Sequence, residues 1–168
     1  FYGQTITEYI ASDNGYITFD LSATVSNDVN IALPATNAPK NAIFAFWDDL
    51  NPSNSGNDVG SGEVKYHSNS DRTVIWFDNV VHWTSLERMY DFQIVLYPTG
   101  KIDLNYREMT GEIGSATIGI IDQEGLYGLE IVYNDIFMQD ELSLAFDLVP
   151  SWLNLDLLSG NISQIPYD

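Results

Sequence analysis

Polar turn signals interrupt this chain every few residues, and what lies between them is short, β-branched and aromatic rather than helically periodic. The sharpest signal is Asn14-Gly15, set between the strand-like runs Glu8–Ala11 and Tyr16–Phe19. An Asn-Gly pair accepts the left-handed backbone of a tight reversal, so a hairpin is predicted there. Further strands are predicted at Ala42–Trp47, Glu63–His67, Thr73–Asp78, Tyr90–Tyr97, Lys101–Tyr106, Ala116–Ile121, Leu129–Tyr133 and Leu142–Phe146. Pro98-Thr99-Gly100-Lys101 closes a second hairpin and Asp122-Gln123-Glu124-Gly125 a third. Only Thr84–Met89 offers a short helical turn. Many short strands joined by polar turns define an all-β chain, an antiparallel β-sandwich of jelly-roll-like type.

The length of 168 residues suits one core-forming domain, assigned to residues 1–149. Residues 150–168 read as a linker or the first strand of a following module, because no sandwich partner is left for them. The net charge of −18 repels nucleic-acid phosphates and anionic membranes, leaving cations or a cationic partner as counterparts. With no cysteine there is neither a disulfide framework nor a thiolate metal site. No apolar run reaches the roughly 20 residues of a membrane-spanning helix. The start Phe1-Tyr2-Gly3-Gln4 carries no signal-peptide pattern and is expected to be a mature fragment of something larger. Few lysines amid many Asp, Asn, Ser and Thr residues favour a secreted or cell-surface setting.

Chemistry concentrates at Ile43–Val64, where an apolar strand meets Asp48-Asp49 and then an Asn/Ser/Gly/Asp loop. Neighbouring strand residues point to opposite faces, so the two aspartates cannot work as a facing catalytic pair. One reading makes them strand-end carboxylates accepting loop N–H groups. The other is an irregular calcium site built from Asp48, Asp49, Asn51, Ser53, Asn57 and Asp58, since oxygen ligands at alternate positions can curl around an ion. An EF-hand is excluded, because Asn54 stands where glycine is needed and Gly60 where a bidentate Glu belongs. Zinc lacks ligands beyond His67 and His82, both expected at the surface. No G-x-S-x-G nucleophile motif is present, and an excess of acids makes any glycosidase-like carboxylate pair uninformative. Sugar-stacking candidates are Trp83 and Tyr90, with Tyr66, Tyr127 and Tyr133 behind them. Phe44, Phe46, Trp47, Trp76, Phe77 and Phe92 are assigned to the core.

The ordered stretches YIASDNGYITFD, LPATNAPKNAIFAFWDDLNPS, GEVKYH, TVIWFDNV, DFQIVLYPTGKIDLNY and ATIGIIDQEGLYGLEIVYN resemble an accessory β-sandwich module of secreted multidomain bacterial proteins, protease- or adhesin-associated. Phe46-Trp47-Asp48-Asp49-Leu50 also resembles a segment of nidogen-type extracellular domains, and the tail PSWLNLDLLSGNIS is similar to the opening strand of immunoglobulin-like modules. The resemblance implies an accessory, non-catalytic part of such a protein. Together with the acidity, the absence of cysteine and the strand count it gives an extracellular module for adhesion, spacing or surface-ligand binding, with neighbouring domains and a surface glycan or protein as partners. A calcium ion at the Asp48–Asp58 loop stays open as the alternative to a hydrogen-bonded strand end. Three further readings stay open: a carbohydrate-binding module, a jelly-roll glycoside hydrolase, and a self-assembling subunit that lends its C-terminal tail to a neighbour's sheet edge.

Overall fold

A computed structural model describes residues 1–24, 27–52 and 61–147. Eleven strands cross them: β1 (Ile10–Ser12), β2 (Tyr16–Thr18), β3 (Ala42–Trp47), β4 (Leu50–Asn51), β5 (Glu63–Ser68), β6 (Thr73–His82), β7 (Ser85–Leu96), β8 (Ile102–Thr110), β9 (Thr117–Ile121), β10 (Gly128–Tyr133) and β11 (Leu142–Phe146). They form a five-stranded sheet in the order β1-β2-β3-β9-β10 and a six-stranded sheet in the order β11-β8-β7-β6-β4, with β5 also paired to β6. All pairings are antiparallel. The antiparallel sandwich predicted from the turn spacing is therefore what forms. No helix is present among the described residues; Trp83-Thr84 is a two-residue turn and β7 starts at Ser85, which corrects the helical turn expected at Thr84–Met89.

Period-2 alternation sends one face of each sheet into a shared core. The small sheet contributes Ile17, Ile43, Ala45, Phe46 and Ile118, and the large sheet Ile75, Phe77, Phe92, Ile94, Leu104 and Tyr106. Phe46 locks the layers by meeting Tyr90 of the facing sheet at 4.5 Å between centroids, and within the large sheet Phe77 stacks on Phe92 at 4.6 Å. Each such side chain, fully buried, stabilises by about 1.5–3 kcal/mol. Tyr106 adds a cross-sheet hydrogen bond, its hydroxyl donating to the Ala45 carbonyl at 2.6 Å, and burial pushes that phenol well above its ordinary pKa.

β3 is buried along its whole length, so both its faces are covered. Ala42, Phe44 and Trp47 turn away from the main core onto Leu33 and Ala38, with Ile31 and Ala35 alongside. The connection ahead of β3 thus straps the outer face of the small sheet. Asn30 pins that strap, its Nδ2 reaching Ser115 O at 2.8 Å, Thr117 Oγ1 at 3.0 Å and Asn134 Oδ1 at 2.7 Å.

The first hairpin turns at Asp13-Asn14-Gly15 and aims Gly15 at β3. Gly15 has φ +78°, and its carbonyl accepts from both Ala45 N and Phe46 N at 3.1 Å, within the register shift between Phe44 and Trp47. A Cβ at Gly15 would lie 1.9 Å from the Phe46 carbonyl oxygen, so any side chain is excluded. That bulge turns the end of β3 and places the residues that follow.

Candidate functional site

At the end of β3 the chain passes through Asp48 and Asp49 into β4, and the two carboxylates part as adjacent residues should. Asp48 is buried, with 6% exposure. Its Oδ1 accepts from the Asp49 backbone N–H at 2.9 Å, and its Oδ2 from the Ser115 hydroxyl at 2.5 Å. His82, at the end of β6, brings Nε2 to 3.6 Å from Asp48 Oδ1, an electrostatic contact too long for a good hydrogen bond. The other ring nitrogen, Nδ1, accepts from Thr84 N at 3.1 Å and lies 2.9 Å from Thr84 Oγ1, which assigns the ring proton to Nε2, facing Asp48. His82 is thus buried, not at the surface as expected; β4 covers it through the Leu50–His82 pairing. His67, on β5, is exposed.

Asn14 ties the hairpin to the same place, its Oδ1 accepting from Leu50 N at 3.0 Å. Asp49 stays partly exposed, and its carbonyl accepts from Trp83 N at 2.8 Å. Burial first, and then repulsion from Asp28, Asp48 and Asp13, raise its carboxyl above the usual range, while His82 pulls the other way. Asn51 is buried in β4, and its carbonyl accepts from Ser61 N at 3.1 Å. Ser53, Asn57 and Asp58 lie outside the described residues, as does the tail 150–168. Among the described residues no group of three or more His, Asp or Glu side chains is placed to hold a metal ion.

The two ligand-binding candidates separate. Trp83 sits at the tip of the β6–β7 hairpin and is 50% exposed. Tyr90 is completely buried: its ring packs on Phe46 and its hydroxyl donates to Glu112 O at 2.6 Å. It belongs to the core, because position 90 faces the small sheet, and this corrects its assignment to a binding surface. Tyr66 on β5, Tyr127 ahead of β10 and Tyr133 at the end of β10 are exposed on separate elements rather than gathered around Trp83.

A second correction concerns Trp76, expected in the core. Ile75 and Phe77 point inward, so Trp76 projects from the outer face of the large sheet, partly exposed. Its indole N–H donates to Asp91 Oδ1 at 3.1 Å, and Arg107 pairs with Asp91 Oδ2 at 2.5 Å. Asp91 itself is buried, and desolvation raises its carboxyl against the pull of Trp76 and Arg107. Sequence reasoning passed over Asp91 and Arg107; their outward positions on alternating strands were the available signal.

Fold and site together describe an all-β sandwich module whose polar strand ends are closed by internal hydrogen bonds and whose larger sheet presents a polar outer face. The chain matches the family model described as NIDO related over residues 1–138, and it belongs to that family. No curated protein matches it, and neither does any solved structure. No helix among the described residues is long and apolar enough to cross a membrane.

Proposed function

We propose that this chain is a non-catalytic extracellular module of a larger secreted or cell-surface bacterial protein, serving adhesion, spacing or the capture of a surface ligand. Membership in the NIDO-related family supports the extracellular setting. The observation that carries the non-catalytic reading is how Asp48, His82, Ser115 and Thr84 spend their hydrogen bonds. A nucleophile needs a base with a free lone pair open to substrate. Here the free lone pair of His82 is taken by the backbone N–H of Thr84, and Ser115 donates to the carboxylate rather than to the imidazole. These residues hold strand ends together. A panel of chromogenic glycosides and peptides tests the reading: turnover should equal that of buffer, and turnover that disappears in His82→Ala or Asp48→Ala would reverse it.

A calcium ion against Asp49 is the second reading, favoured by the repulsion that Asp28, Asp48 and Asp13 exert there, which a cation would relieve. Asn51, Ser53, Asn57 and Asp58 would supply further oxygens. Saturable calorimetric binding that raises the melting temperature and vanishes in Asp49→Ala is its signature.

A further inference from the structure

Across the outer face of the large sheet, directly opposed residues form one row. The pairings Lys65–Trp76, Trp76–Gln93, Gln93–Asn105 and Asn105–Ser143 set one side chain on each of β5, β6, β7, β8 and β11. Trp76 is steadied by Asp91 and flanked by two cations, Lys65 Nζ at 5.2 Å and Arg107 at 5.9 Å from the ring centre. Beyond it the row is amide and hydroxyl. Ser143 donates to Asn105 Oδ1 at 2.6 Å, and among the described residues neither the Asn105 amide N–H groups nor the Gln93 amide has a partner. Trp76, Gln93, Asn105 and Ser143 line a depression of about 330 Å³, to which Asp91, Arg107 and Glu141 also contribute. The core does not use the row, since Ile75, Phe92, Ile94 and Leu104 on the same strands point the other way.

We propose that this row binds a neutral glycan laid across the strands, an inference that rests on reading the chain as a non-catalytic binding module. A sugar chain asks for an aromatic surface against its C–H groups and for mixed donors and acceptors against its hydroxyls; Trp76 with Gln93, Asn105 and Ser143 supplies both. Strands lie about 4.8 Å apart, close to the length of one hexose unit, so successive sugars meet successive strands. The charge selects a neutral polymer. The chain carries −18, Lys65 is already paired with Glu63 and Asp78, and Arg107 with Asp91, so an anionic chain finds repulsion and no free cation in the row. A protein partner would want an unpaired strand edge or several apolar anchors; β6, β7 and β8 are interior strands, and apart from Trp76 the side chains of the row are polar.

Affinity electrophoresis of the folded chain in gels containing soluble β-glucan, xylan, mannan or galactomannan, with polygalacturonate as the anionic comparison, tests this. At least one neutral polymer should retard the protein and polygalacturonate should not. The double variant Gln93→Ala/Asn105→Ala should weaken retardation about tenfold or more at an unchanged melting temperature. Trp76→Ala should abolish it. Absence of retardation by every neutral polymer overturns the site and leaves the module reading standing. Retardation that survives the double variant but is lost in Trp83→Ala also overturns it, by moving the site to the hairpin tip. Recovery of shortened polymer overturns the non-catalytic reading beneath it.

Discussion

At Asp49 the folded chain holds a carboxyl that is partly buried and repelled by Asp28, Asp48 and Asp13, and both effects raise its pKa. A raised acid means that the native state binds more protons than the unfolded state between the ordinary aspartate value and the folded one. The contribution of Asp49 to stability therefore falls as pH rises through that window. Asp49→Asn, measured by calorimetry over a pH series with chelator present, should be more stable than wild type at pH 7, with the gain fading as pH drops below the ordinary aspartate range. A loss of stability at pH 7 would show that the charge at Asp49 is needed. The divergence of the two aspartates was readable from strand alternation alone. Their partners were not: Ser115 is 67 residues from Asp48, and only the sheet register brings the two together. Tyr90 escapes sequence reading for the same reason, because only the facing sheet shows that its ring packs on Phe46 rather than standing at the surface.

Among the elements, hairpins announced themselves and bulges did not. Asn14-Gly15, Thr99-Gly100 and the Asp122–Gly125 turn each lie where a reversal occurs. β6 runs four residues past the predicted end at Asp78 because Asn79, at φ +54°, makes a bulge between Phe77 and Val80 that breaks the alternation without ending the strand. With the predicted strand ending at Asp78, His82 falls beyond it and is expected at the surface, whereas the extended strand buries it. The first hairpin gives the cleanest test at this scale. Gly15→Ala must both hold a left-handed backbone and fit a Cβ 1.9 Å from the Phe46 carbonyl oxygen, so β3 has to retreat. A loss of at least about 2 kcal/mol in urea unfolding is expected; a change within about 0.5 kcal/mol would mean that the hairpin does not clamp β3 as described.

For the molecule as a whole, turn-punctuated short strands were enough to specify a sandwich, since two half-apolar sheets have one efficient way to hide their faces. They were not enough to say which side chains share a face. That followed from register, which lined up Trp76, Gln93, Asn105 and Ser143 from four strands spread over most of the chain, and which enclosed Asp48 in a chain of hydrogen bonds rather than a cleft. The division of labour is then a closed, structural junction at one place and an open polar face at another. Its most direct test is the melting temperature of Asp48→Ala in chelator. Removing the carboxylate leaves the Ser115 hydroxyl and the Asp49 N–H without their acceptor, a cost of about 2–3 kcal/mol that should lower the melting temperature by about 5–10 °C with no metal present. A melting temperature within about 1 °C of wild type in chelator, with a difference emerging only when calcium is added, would contradict it and make the junction a metal site.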